Sequence, residues 1–135
     1  MIPAGLAFKA LGMRVGHYGP KVGAALFGDM AQPWMQMALL VQHFVIGWLS
    51  ALPLLLYWQL QTGTTPRLRH GAVYGVAYYL LVNALVLPLL FGDPLPMQLG
   101  WLVVMPSLVV HLVFGLAIAW LAGVHEGRWL WGGGR

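Results

Sequence analysis

Cysteine is absent from this chain of 135 residues, and charge nearly so: three acidic and seven basic side chains make up 7% of the total. Without cysteine there is no disulfide framework to staple a small fold and no thiol nucleophile. A soluble domain carries about 25% charged residues and needs them to cover its surface, so the soluble class is excluded. A disordered tail is excluded as well, because 60% of the residues are hydrophobic. The three carboxylates, Asp29, Asp93 and Glu126, stand outside every long apolar run, which leaves no pair for acid–base catalysis there. There is no G-x-S-x-G elbow, no H-E-x-x-H and no phosphate-binding loop. The cations form no basic patch of the kind that binds nucleic acid. The chain holds no autonomous catalytic constellation, and its solvent is lipid.

The positions of the charges divide the chain. The intervals from Asp29 to Arg67, from Arg69 to Asp93 and from Asp93 to Glu126 contain none. Each can hold a helix of the roughly 20 apolar residues that cross a bilayer core. This predicts an all-α integral membrane protein with three transmembrane helices over about 35–58, 71–91 and 100–122. Barrel strands would alternate over about ten residues, whereas LVNALVLPLL and WLVVMPSLVVHLVFGLAIAW are apolar on every face. Trp34, Tyr57, Trp58, Trp101 and Trp120 fall at the predicted ends, where amphipathic rings prefer the interface. Residues 59–70 read as a polar loop, 92–99 as a Pro-rich turn, and 124–135 as a flexible tail.

Residues 1–33 are apolar in part but interrupted by Lys9, Arg14 and Lys21. They are expected to form an interfacial segment, with short helices burying Leu6, Phe8, Leu11, Val22, Leu26 and Phe27 in the headgroup region. No continuous apolar core follows a basic start, so a cleavable signal peptide is not expected. Arg67, Arg69, Arg128 and Arg135 share one side of a three-span chain. The positive-inside rule then places the N-terminus outside and the C-terminus in the cytoplasm of a bacterial inner membrane.

Inside the spans the unusual residues are polar. His43, Asn83 and His111, one per helix, lie about 12–16 Å below the outer interface at ~1.5 Å per residue. Such groups are costly in hydrocarbon, usually face the bundle interior and pair with one another, so the three form a candidate midplane cluster. Small residues follow the histidines at four-residue steps: Gly47 and Ala51 after His43, with Ser107 before His111 and Gly115 and Ala119 after it. Gly71 and Gly75 add a small-xxx-small pair to the second span, the pattern by which membrane helices approach closely. HFVIGWLSA at 43–51 and HLVFGLAIA at 111–119 share H-x-V-x-G-x-x-x-A, the outline of an internal repeat.

Three roles are open to the histidines. They can act as hydrogen-bonding glue between helices, as a proton relay or pH sensor, or as axial ligands of a b-type haem. Pro53, Pro88 and Pro106 read as kinks held by neighbouring helices. The scattered methionines read as packing, as do Tyr74, Tyr78 and Tyr79, which could otherwise line a quinone or lipid cavity. His17, His70 and His125 fall near the interfaces and are expected to be solvated.

HFVIGWLSA, then RLRHGAVYGVAYYLLVNALVLPLLFGDPLP, then PSLVVHLVFGLAIAW resembles, over about residues 36–128, the YagU-like family of small bacterial inner-membrane proteins. The shared pattern is a His–Gly helix, a Gly-spaced helix ending in a Pro-Gly turn, and a Ser–His–Gly helix before an Arg-bearing tail. The resemblance implies histidine positions matching His43 and His111, a cytoplasmic C-terminus and a link to acid tolerance. It also implies four spans, the first of which this sequence lacks; residues 1–33 or another subunit would stand in its place.

These features lead to the expectation of a small accessory or structural subunit that works through contacts with other membrane subunits or with itself, surrounded by bound lipid. The alternatives are a pH-responsive or proton-conducting protein centred on His43, Asn83 and His111, and a haem-binding anchor of a redox complex. Neither a cofactor nor nucleic acid is required. The cysteine-free chain makes the orientation testable. A single cysteine beside Asp93 should react with an impermeant thiol reagent in intact cells, and one beside Arg135 only after permeabilisation; the reverse pattern would invert the topology.

Overall fold

The computed structural model describes residues 8, 10–13, 18–28, 30–61 and 67–125. All regular structure among them is helical. Three helices, Gln32–Leu60, Leu68–Phe91 and Trp101–Val124, are long and apolar enough to cross a membrane, so the chain is an all-α membrane protein. It divides into two compact units, Gly16–Pro53 and a larger one containing Leu54–Arg135 together with Met1–Val15. The division falls within a continuous helix at Pro53, where the ring leaves the Leu49 carbonyl without its ladder donor.

The smaller unit packs helix α1 (Tyr18–Phe27) against the N-terminal part of helix α2 (Gln32–Leu60). Gly23 is buried at the contact, and a methyl group there would run into the side chain of Leu39. α1 falls where an interfacial helix is expected: Lys21, Leu26 and Phe27 are exposed, and the Lys21 ammonium lies 6.0 Å from the Tyr18 ring centroid. Leu11 is exposed, whereas Leu6 and His17 lie outside the described residues.

The larger unit is an antiparallel helical hairpin. Helix α3 (Leu68–Tyr78) continues into a π-helical stretch, Tyr79–Val86, and then helix α4 (Leu87–Phe91). The return helix α5 covers Trp101–His125. Gly92 ends α4 in the left-handed conformation with φ of 64°. Its N–H reaches the Leu89 carbonyl at 3.4 Å while Asp93 N–H reaches Pro88 O at 2.9 Å, the paired bonds of a Schellman cap. The expected Pro-rich turn carries one 3₁₀ turn, Pro96–Gln98, braced by Leu95 N–H donating to Gln98 Oε1 at 3.1 Å.

The observed helices are longer than the apolar runs. α2 starts three residues earlier than expected with Pro33 in its first turn, and α3 starts at Leu68 rather than at Gly71. Polar residues at a span's end can stay helical because their side chains reach water or the interface. α5 runs through His125, into the expected tail, and residues 126–135 lie outside the described set.

α3 and α5 meet backbone to backbone. A Cβ added to Gly71 would strike the Gly115 carbonyl and stand 2.7 Å from the Ala119 methyl. A Cβ on Gly75 would strike the His111 carbonyl, and one on Gly115 would strike the Gly71 carbonyl and lie 2.9 Å from Gly75 N. Lipid tails are as apolar as leucine, so hydrophobic burial supplies little drive between such helices; the attraction comes from close packing, which only small residues permit.

The buried positions of the second span are Gly71, Gly75, Tyr79, Ala84 and Pro88. Four-residue steps lead from Gly71 to Tyr79, a five-residue step reaches Ala84, and a further four reach Pro88. The long step coincides with the π-helical stretch, whose Leu87 N–H bonds Val82 O, five residues back. Pro88 explains it. The ring has no N–H and would clash with the carbonyl four residues earlier in an α-helix, and a local π turn relieves that clash. The wider turn keeps Ala84 and Pro88 on the buried side.

Leucine at Gly75 or at Gly115 is expected to push α3 and α5 apart and lower stability by about 1–3 kcal/mol, the usual cost of overpacking, read as earlier unfolding in detergent. Leucine at Gly47, where nothing in the chain itself lies within 4 Å of an added Cβ, should leave the unfolding of the isolated chain nearly unchanged.

Candidate functional site

Asn83, on the π-helical stretch, and His111, on α5, are hydrogen-bonded: Asn83 Nδ2 lies 2.9 Å from His111 Nε2. His111 Nδ1 lies 2.6 Å from the Ser107 carbonyl oxygen, one turn earlier on the same helix. A carbonyl oxygen only accepts, so Nδ1 carries the proton and Nε2 offers its lone pair to the Asn83 amide. The histidine is thus a neutral imidazole of defined tautomer with both ring nitrogens engaged. Asn83 stands eight residues from the Phe91 end of its span and His111 ten from the Trp101 end of its own, about 12–15 Å deep at ~1.5 Å per residue.

Aromatic rings enclose the pair. Tyr78 stacks on the imidazole with centroids 5.7 Å apart and planes 21° apart, and Tyr79 approaches it at the same distance with planes tilted by 49°. Tyr78 also contacts Tyr74 at 6.0 Å and Phe114 at 6.5 Å. Tyr79 is 1% exposed and packs in a cluster with Ala84, Val104 and Leu108. The histidine's ring contacts are thus aromatic, and its two hydrogen bonds go to Asn83 and the Ser107 carbonyl.

His43 belongs to the other compact unit. It is exposed, and its ring stands edge-on to Phe44 with centroids 6.2 Å apart. Of the small residues, Gly71, Gly75, Gly115 and Ala119 meet at the α3–α5 contact and Ser107 is buried, while Gly47 has open space and Ala51 is half-buried. The two H-x-V-x-G-x-x-x-A segments thus occupy different environments. A haem or metal ion at Nε2 of His111 would have to displace the Asn83 amide. Among the described residues no three His, Asp or Glu side chains gather as a metal site.

Two polar contacts escape a reading by sequence position. Trp58, expected in an interfacial belt, is 7% exposed and donates its indole N–H to His70 Nδ1 at 3.1 Å. His70, expected to be solvated, is half-buried between that ring and Tyr57, whose centroid lies 6.0 Å away. Both sit at span ends, where sequence alone favours water. His125 has no described side chain. Gln42 is buried and donates from Nε2 to the Gly19 carbonyl at 3.2 Å, tying α1 to α2. Its mark in the sequence is a glutamine within an apolar run. No family model, curated protein or solved structure matches the chain.

A double-mutant cycle with Asn83→Leu and His111→Leu should give a coupling of about 0.6–2 kcal/mol, the range for interhelical hydrogen bonds in membranes. Additive effects in detergent or bicelle unfolding would show that the pair contributes nothing as a pair.

Proposed function

We propose that this protein is a small accessory or structural subunit of a membrane assembly, acting through helix–helix contacts with other membrane subunits or with copies of itself. The observation that carries this reading is His43. α1 packs on the Leu39 and Gln42 side of α2 and leaves the imidazole exposed near the middle of a 29-residue helix. Lipid tails offer an imidazole no hydrogen bond, and groups of this kind in spans pair with protein. The neighbouring Gly47, with open space around it, suits close approach by another helix. The membrane is the bacterial inner membrane, with the N-terminus outside, the orientation that the arginines of the short loop favour.

A second reading has its own observation. The Asn83–His111 bond engages a titratable ring midway along two apolar helices, which supports a pH-responsive or proton-conducting protein. That reading agrees with the acid-tolerance link of the YagU-like proteins this sequence resembles.

Native mass spectrometry of the mildly solubilised protein should show a particle heavier than the 14.8 kDa chain. His43→Leu should weaken that particle by about 1 kcal/mol, the scale of one interhelical hydrogen bond. A stable lone monomer would count against the subunit reading.

A further inference from the structure

His111 Nε2 is the one ring nitrogen able to take up a proton, since Nδ1 already donates to Ser107 O. A proton arriving at Nε2 would face the Asn83 NH2 group 2.9 Å away, and two donors cannot share a hydrogen bond. The conflict has a local solution. Half a turn of the carboxamide about its Cβ–Cγ bond replaces Nδ2 by Oδ1, which accepts from Nε2–H. We propose that Nε2 of His111 is a proton-binding site of the membrane interior, and that the Asn83 carboxamide reverses when the site fills. This rests on the pH-responsive reading and specifies the atom and the movement behind it.

The surroundings suit both states. In the neutral state Nδ1–H bonds Ser107 O and Nε2 accepts from Asn83. In the protonated state the imidazolium has two carbonyl-type acceptors, Ser107 O and Asn83 Oδ1, with the face of Tyr78 stacked upon it, an arrangement that attracts a cation. The titratable groups facing the ring are Tyr78 and Tyr79 of the second span, with Tyr74 behind Tyr78. α5 brings Ser107 and Phe114. The part of α2 in this unit brings Tyr57 and Trp58, which lie against His70. No Asp, Glu, Lys or Arg occurs between Arg69 and Asp93 or between Asp93 and Glu126, so no neighbouring charge in these spans competes with the amide as the ring's partner.

The sequence supplies a clean probe, because Asn83 is the sole asparagine. Protein labelled with 15N-histidine and 13C,15N-asparagine in lipid vesicles can be followed by solid-state NMR from about pH 8 to about pH 4, spanning the ordinary histidine range. The His111 signals are assigned by their loss in His111→Gln. At the upper end His111 should show the Nδ1–H tautomer. On acidification its imidazolium resonances and the Asn83 side-chain shifts should move with one midpoint, and His111→Leu should hold the Asn83 shifts constant. An Nε2–H tautomer at the upper end would overturn the proposal, as would a His111 that stays neutral to about pH 4 or Asn83 shifts indifferent to its protonation. Proton uptake by vesicles and acid survival of cells test the broader reading separately. An acid response unaltered in His111→Leu would remove that reading while leaving a coupled titration in place. An acid response dependent on His111 without coupled Asn83 shifts would remove the reversal alone.

Discussion

Gly75 lies so close to the His111 carbonyl that even a methyl group has no room between them. In water a pair of helices can associate by burying large side chains, but in a bilayer lipid meets leucine as well as another helix does. The contact between α3 and α5 therefore depends on backbone approach, with Gly71 and Gly75 on one helix and Gly115 and Ala119 on the other. That approach also decides what longer side chains can reach. His111 belongs to the contact through its own carbonyl, so the ring is delivered against Tyr78, Tyr79 and Asn83.

The second span has to satisfy this contact while carrying a proline. Its glycines follow four-residue steps suited to close packing, and Pro88 cannot sit in an undisturbed α-helical ladder. The π-helical stretch between them accommodates both. Asn83, the only strongly polar side chain in the middle of this span, lies within that stretch, so local irregularity and local chemistry coincide. π-bulges inside helices occur often at such places.

The sequence made His111 and Asn83 legible because a polar group in an apolar run has few energetically acceptable fates, and equal depth suggested that they pair. The same logic selected His43, which the fold places in a different compact unit. Its likeness to the His111 segment did not predict its surroundings, since a nine-residue pattern says nothing about what lies across from it. Trp58 and His70 depart from the expected solvated positions for a related reason. Position at a span's end favours water, and only the end of α2 lying against the start of α3 gives the indole N–H its acceptor. Glutamine in hydrocarbon carries the same warning as histidine, and the partner of Gln42, the Gly19 carbonyl, comes from α1.

What the sequence determined by itself was the solvent, the three spanning helices found among the described residues and most of the groups that lipid cannot satisfy, because transfer free energy depends on composition and length. Which groups satisfy one another was decided by tertiary structure alone. Hydrogen bonds require approach within about 3 Å, and that approach followed from glycines at the crossing of two helices and from a π turn around a proline, neither of which composition or depth could specify.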